Sequence, residues 1–378
     1  MHLFIAIPAL DELEFLPHTL AAIAKQKTEF PFSVYVCVNQ PNEWWNDPQK
    51  IEVCQNNQKL LNTLNSFNSS NSLITIDKTS LGKGWHKDNA GVGWARKTLF
   101  EEILKIANDD DVIISLDADT LFNEGYFQSI GENFVQNKVE VISVPYYHKL
   151  TDDENANRAI LRYEIYMRNY FINMHRINSP YTFTAIGSAI ALKIKTLRKI
   201  RNITPVSSGE DFYLLQKLRK MTPISNYNAE LVYPAARFSS RVLFGTGPAM
   251  IKGNSGNWES YPIYHYSLFD KIKETYNIIP ELFIEDRETE FIDFLKIQYK
   301  TNDLWSPLRK NFKTLSQFTR AFHEKADGLR ILQFLKTKHQ ETSNEQQLIS
   351  DERRVTSDEL LAMRERLFEI EMGLRIRD

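Results

Sequence analysis

Apolar positions in the first 145 residues alternate between short runs and helical stripes. Leu3 to Ile7 reads as a strand, and Leu13, Leu16, Leu20 and Ile23 then recur on one face of a helix expected over Glu12 to Gln26. Ser33 to Val38 and Leu73 to Asp77 read as further strands, with the Asn- and Ser-rich segment Asn56 to Ser72 between them as an exposed loop or the frayed end of a helix. Gly93 to Asn108 predicts a helix with Leu99, Ile103 and Ile106 as its stripe, followed by strands at Val112 to Leu116 and Val139 to Val144. Strands separated by helices imply a parallel sheet with crossovers, an α/β arrangement.

Beyond this half the pattern changes. Residues 150–178 predict a long helix carrying Arg158, Arg162, Arg168 and Arg176 among aromatic residues. Phe183 to Leu192 is small and apolar, and Gly209-Glu210-Asp211 opens a helix over Phe212 to Lys220. Residues 227–266, rich in Gly, Pro, Tyr and Ser, read as loops over a site. After Ser267 the chain is helical and charged. Gln340 to Ser350 reads as a linker, and Thr356-Ser357-Asp358-Glu359 as a capping box ahead of Leu360, Leu361, Met363, Leu367 and Ile370.

With 378 residues, 42% hydrophobic and 25% charged, the composition is that of a globular chain of two or three lobes. A formal net charge of −2 supplies no basic field, so no nucleic-acid partner is expected. The two cysteines, Cys37 and Cys54, offer neither a disulfide framework nor a zinc spacing, and Cys37 sits in an apolar run as a buried thiol. The start lacks a secretory pattern and no apolar stretch reaches the ~18 residues of a membrane span. A cytoplasmic setting is expected. The run Lys193, Lys195, Arg198, Lys199 and Arg201 allows peripheral contact with anionic lipid at the inner face of the membrane, although such a run is more often a solvated helix face. The mixed charge of the terminal helices suits a partner-binding or homodimerising appendage.

Candidate chemistry concentrates in three places. Asp117 and Asp119 follow the Val112 strand at i and i+2, so extended backbone would point both into the crevice at the sheet's carboxyl edge. Two close carboxylates call for a cation, and hard oxygen ligands suit Mg²⁺ or Mn²⁺. At Glu210 and Asp211, neighbours on a helix face different ways, so one acid can cap or orient while the other serves as a base. Gly82-Lys83-Gly84 and Gly91-Val92-Gly93 approach a helix bearing Arg96 and could present N–H groups to phosphate, though without P-loop spacing. Arg237 and Arg241 are candidate diphosphate clamps on a flap. His148 and His265 are candidate third metal ligands, His265 slightly favoured.

Taken in order, Ile7-Pro8-Ala9 with Glu12, a second strand, Gly82-Lys83-Gly84, Ala95-Arg96-Lys97, Asp117-Ala118-Asp119 and Gly209-Glu210-Asp211 resemble a family 2 glycosyltransferase with the GT-A fold, over roughly residues 1–220. The resemblance implies a Rossmann-like mixed sheet flanked by helices, with a C-terminal helical appendage. It implies a nucleotide-sugar half at 1–145, an acceptor half with the Glu-Asp site and flap at 146–268, and a helical region at 269–378. It also implies an inverting transfer from a nucleotide-diphosphate sugar to a saccharide or lipid-linked acceptor, assisted by Mn²⁺ or Mg²⁺, in cell-surface glycan synthesis. Pro8, Ala9 and Glu12 would lie at the nucleotide, with Lys83, Arg96 and Arg241 as further donor contacts. Asp117 would lean toward ribose and sugar and Asp119 would ligate the metal, with Asp117 and His265 kept from the residue-level reading as further candidate ligands. Asp211 would be the catalytic base, with Glu210 as second candidate. Departures are Asn39 where an aspartate commonly reads the base, Asp11-Glu12 in place of Asn-Glu, and no clear Gln-x-x-Arg-Trp. The rival readings are a sugar-phosphate nucleotidyltransferase, disfavoured by the acidic, glycine-free Pro8 to Glu12 turn, and an inactive protein that binds nucleotide sugar or a partner.

Overall fold

The computed structural model describes residues 1–67, 73–206, 209–240, 245–345 and 355–376. The chain divides into two compact units, one holding Met1–Ile160, Phe183–Asn257 and Arg375–Asp378, the other Leu161–Thr182 and Trp258–Leu374.

In the first unit the elements run β1 (Leu3–Ala9), α1 (Leu16–Ala24), β2 (Phe32–Asn39), α2 (Ile51–Phe67), β3 (Leu73–Lys78), α3 (Val92–Leu104), β4 (Val112–Ser115), β5 (Thr120–Phe122), α4 (Tyr126–Gln136) and β6 (Val141–Ser143). After α5 (Glu154–Arg176) come β7 (Ile190–Lys193), α6 (Ile194–Lys199), α7 (Glu210–Arg219), β8 (Val232–Pro234) and α8 (Thr246–Asn254). The main sheet has the order β3-β2-β1-β4-β7-β6, and β5 pairs with β8 in a separate two-stranded sheet. All seven residues of β1 are buried, the unbroken apolar run of a strand covered on both faces. β1 lies parallel to β2 from Leu3↔Phe32 to Ala9↔Val38, and parallel to β4 from Leu3↔Val112 to Ala6↔Ser115. The turns that follow β1 and β4 therefore leave the same edge of the sheet, side by side.

The sheet is mixed, as the family resemblance implies, whereas strand–helix alternation alone predicted parallel pairing. β7, at the end of the small apolar stretch Phe183 to Leu192, runs antiparallel to both β4 and β6. Other differences are local. The first helix starts at Leu16 with proline in its first turn, so Glu12 sits in a turn. Asp11 takes φ 56° there, and the turn is pinned by Asp11 N donating to Asn57 Oδ1 (2.9 Å) and Asn56 Nδ2 donating to Asp11 Oδ1 (3.1 Å). Most of the Asn-rich segment is the helix α2, held by buried Cys54, Asn57, Leu60, Leu61 and Leu64 at helical spacing. Residues 68–72 lie outside the described residues. α3 ends at Leu104, which leaves Ile106 63% exposed instead of on the stripe. Cys37 is a buried thiol, and burial pushes its pKa up. The basic run on β7 and α6 is matched by acids, with Lys195 on Glu140 (2.7 Å) and Arg198 on Asp109 (3.1 Å), in keeping with a solvated helix face.

The second unit takes α5 from Leu161 onward and continues through α9 (Tyr266–Asn277), α10 (Ile279–Leu282), α11 (Glu290–Tyr299), α12 (Ser306–Asn311), α13 (Leu315–Lys325), α14 (Gly328–Glu345) and α15 (Ser357–Arg375). Aromatic residues fill it, with Phe334 set edge-on to both Phe291 and Phe294, and Trp305 stacked on Phe322 at 5.0 Å. The capping box is formed, Thr356 N donating to Glu359 Oε2 (2.8 Å) and Glu359 N to Thr356 Oγ1 (3.2 Å). Only part of the expected stripe on α15 is inside. Leu360 is buried while Met363 and Ile370 are exposed, because the buried face also carries Arg364 and Glu371. These charges form a buried network in which Glu164 accepts from Arg168 and Arg364 at 3.1 Å and Glu371 accepts from Arg168 at 2.7 Å. Among the described residues no helix is long and apolar enough to cross a membrane.

Removing one member of a buried ion-pair network costs far more than its net worth intact, because the partner's charge stays desolvated. Arg168→Met is expected to lower unfolding free energy by about 3–5 kcal/mol in urea denaturation followed by tryptophan fluorescence. A loss below about 1 kcal/mol would show that the network does not hold this unit together.

Candidate active site

The buried face of α3 consists of Gly93, Ala95, Arg96, Leu99, Phe100 and Ile103. Arg96 is thus carried into the core by helical periodicity, at 1% exposure, and a guanidinium there must be paired. Its Nε donates to Glu210 Oε1 (3.1 Å), Nη1 to the Gly187 carbonyl (3.0 Å) and to Ser115 Oγ, and Nη2 to Asp117 Oδ1 (2.9 Å). Ser115 Oγ in turn donates to the same Gly187 carbonyl at 2.8 Å. Burial opposes the charge on Arg96, but Asp117 and Glu210 outweigh it and hold the guanidinium firmly protonated. One side chain thus ties the end of β4, the Asp117 turn, the segment before β7 and the start of α7. A Cβ on Gly187 would lie 2.5 Å from Arg96 Nη2 and 3.2 Å from both Asp117 oxygens, so only glycine admits this packing.

The start of α7 is set by one left-handed residue and one close approach. Gly209 takes the left-handed conformation, φ 76°, and turns the chain into the helix. On α3, a Cβ at Gly93 would fall 2.2 Å from the Val206 carbonyl oxygen, so the space that Gly93 leaves is filled by backbone near α7. The helix begins at Glu210, and its two acids face differently. Glu210 is buried against Arg96, while Asp211 is half-buried, with Oδ1 accepting from Phe212 N at 2.8 Å. Burial pushes the Glu210 carboxyl up to about 7, against the pull of Arg96 and with Asp211 and Asp117 adding to the rise. Asp211 is raised as well, by burial first and then by Asp117, against the Phe212 N–H and Arg96.

A second arginine organises the neighbouring turns. Arg237, in the coil between β8 and α8, donates from Nη2 to both Glu12 oxygens (2.8 Å each) and from Nε to Asp119 Oδ2 (2.8 Å). Its guanidinium lies 3.8 Å from the Phe15 ring centroid. Arg237 also lines a cleft of 560 Å³ with Asp11, Glu14, Phe15, Asn56, Phe238 and Ser239. Asp117 and Asp119 stand in a turn beyond β4, not on extended backbone, and each meets its own arginine.

The structure therefore gathers Glu12, Arg96, Asp117, Asp119, Glu210 and Asp211 in the first unit, around Arg96 and Arg237. Pro8 and Ala9 lie in β1 at the same sheet edge. Asn39, 1% exposed, spends its Nδ2 on the Ala9 (2.9 Å) and Cys37 (3.3 Å) carbonyls, and its Oδ1 is buried as well. Lys83 is exposed and paired with Asp77 at 2.9 Å, and the glycine beside it, Gly84, is pressed onto the backbone of Gln40 and Asn42. His265 belongs to the second unit, where its Nδ1 accepts from Ser267 N (3.4 Å) and caps α9. Arg241 lies outside the described residues. No group of three His, Cys, Asp or Glu side chains that could hold a metal occurs among the described residues. Glu12 and Asp119 do turn hard oxygen donors toward a single cation, the Arg237 guanidinium, and that donor set suits Mg²⁺ or Mn²⁺. Sequence reasoning missed Ser115 and Gly187, a small polar residue and a glycine in apolar surroundings, which carry no motif of their own.

Gly187→Ala is expected to lower stability by about 1–3 kcal/mol in chemical denaturation. Gly373→Ala, where an added Cβ meets nothing within 4 Å inside α15, should stabilise instead. Equal effects at the two positions would contradict the packing around Arg96. For Glu210 the sign with pH is fixed by its upward shift. Between its ordinary 4.5 and about 7 the folded chain keeps a proton that the unfolded chain has lost, so its contribution to stability falls as pH rises through that window. Glu210→Gln should flatten the fall, measured as melting temperature against pH, and an unchanged slope would rule the shift out.

No protein-family model matches the chain, and neither does any curated protein. Among solved structures the chain is similar to residues 1–349 of S. aureus TarS in complex with UDP-GlcNAc, at 13% identity and TM-score 0.46 over 92% of each chain. The complex of the same fragment with UDP aligns at 14% identity and TM-score 0.43, over 93% of this chain and 95% of that one. A further S. aureus TarS structure aligns at 12% identity and TM-score 0.40, covering 90% of this chain and 55% of the other.

Proposed function

We propose that the chain is an inverting, divalent-metal-dependent glycosyltransferase of the family 2 type. It would move a sugar from a nucleotide-diphosphate donor to a saccharide or lipid-linked acceptor in cell-surface glycan synthesis. One observation carries the reading. Arg96 joins Asp117, on the side expected to hold the donor, to Glu210, next to the acid expected to act as base.

In this reading Asp211 is the general base. Its Oδ1 is held by the Phe212 N–H, which leaves Oδ2 to take the proton from the attacking acceptor hydroxyl. Its raised pKa brings its basicity nearer to that of the working solution. Glu210, buried on Arg96, orients the start of α7 and does not meet substrate. Asp119, with Asp117 two residues before it and Glu12 converging on the same guanidinium, would hold the metal, which when bound supplies Lewis-acid compensation for charge on the departing diphosphate. Pro8, Ala9 and Asn39 border the nucleotide at the ends of β1 and β2.

UDP-, GDP-, CMP- and dTDP-sugars, each with Mn²⁺ or EDTA, are to be screened by thermal shift, with UDP-GlcNAc first. A donor that binds the folded chain raises the melting temperature by mass action. One nucleotide is expected to give a Mn²⁺-dependent shift that Asp119→Ala abolishes. Asp211→Asn is expected to keep the shift and lose turnover by about 10²–10⁴-fold. Full activity in Asp211→Asn would overturn the assignment of the base.

A further inference from the structure

Arg237 has an unusual combination of partners for a residue outside regular structure. Two carboxylates from adjacent turns, Glu12 after β1 and Asp119 after β4, converge on its guanidinium, and Phe15 covers a face of it. Glu12 is buried and Asp119 largely so, hence neither charge is left to solvent. A guanidinium does not shed its proton in proteins, so Arg237 releases these carboxylates only by moving away. The same side chain lines the 560 Å³ cleft beside Asp11, Asn56 and Ser239 and stands on coil backbone, outside regular structure.

We propose that Arg237 is an internal counter-ion that competes with a divalent cation for Glu12 and Asp119, so that binding the cation and releasing Arg237 are one exchange. The inference rests on the transferase reading only for the identity of the incoming ion. A guanidinium and a divalent ion a few ångströms apart repel, and two carboxylates do not neutralise three positive charges. The ion alone therefore binds weakly. A diphosphate changes the balance, because it gives the released guanidinium paired oxygens to meet and the ion further ligands. Donor and metal then promote each other's binding, as linkage requires.

The test is Mn²⁺ binding without nucleotide, read by the electron paramagnetic resonance of free Mn²⁺. Arg237→Gln is expected to bind Mn²⁺ about tenfold more tightly than the wild type, since a competing positive charge has been removed. Asp119→Asn added to Arg237→Gln should erase the gain, and Arg237→Lys, which keeps the charge, should stay within about threefold of the wild type. Arg237→Met, whose apolar stem can still cover Phe15, is the second variant should Arg237→Gln fail to fold. Equal Mn²⁺ affinity in the wild type and either folded neutral variant would overturn the exchange. A gain in the neutral variants in a protein that binds no nucleotide sugar would leave the exchange standing and remove the transferase reading instead.

Discussion

A guanidinium buried at the end of β4 is the constraint from which the site follows. Arg96 is placed there by the periodicity of α3, and burial makes partners obligatory. The partners come from four separate segments, namely Ser115, Asp117, Gly187 and Glu210. Neutralising one charge therefore fixes the relative position of the Asp117 turn and the first turn of α7. Gly187 and Gly93 are the steric side of the same constraint, since a Cβ at either would push apart the segments that Arg96 draws together. Core electrostatics and site geometry are here one problem.

The balance of charge explains the remaining chemistry. Five acids, Glu12, Asp117, Asp119, Glu210 and Asp211, surround two arginines, Arg96 and Arg237. Burial first, and the neighbouring carboxylates after it, hold protons more tightly on Glu210 and Asp211, and carboxylates set close together also favour a further cation. Both suit chemistry in which a base accepts a proton while charge builds on a leaving group.

β1 to β4 and β6 were legible because each is a short apolar run bounded by turn residues, and the candidate acids because each follows such a run or opens a helix, whereas the three- and four-residue strands β5, β7 and β8 were not read as strands. What failed has physical causes. β7 is four residues long, and local pattern cannot tell its antiparallel direction. The Asn-rich α2 hid its buried face, because Asn57 and Cys54 stand where aliphatic residues would normally signal it. The glycines near Lys83 and Arg96 suggested phosphate cradles, yet Gly84 and Gly93 serve close chain-to-chain contacts. Pairings such as Glu12 with Arg237, 225 residues apart, cannot be read from spacing at all. In α15 the charged Arg364 and Glu371 are buried among apolar neighbours, which a stripe of hydrophobic residues alone does not anticipate.

Arg96 holds the Asp117 turn and the first turn of α7 together, and the proposed transfer needs donor and base to meet there. A crystal structure with a nucleotide-diphosphate sugar and Mn²⁺ tests it most directly. The account predicts the diphosphate beside Asp119, the anomeric carbon on the side of Asp211, and Arg96 still bridging Asp117 and Glu210. A nucleotide sugar bound elsewhere, with Asp211 remote from the anomeric carbon, would contradict it.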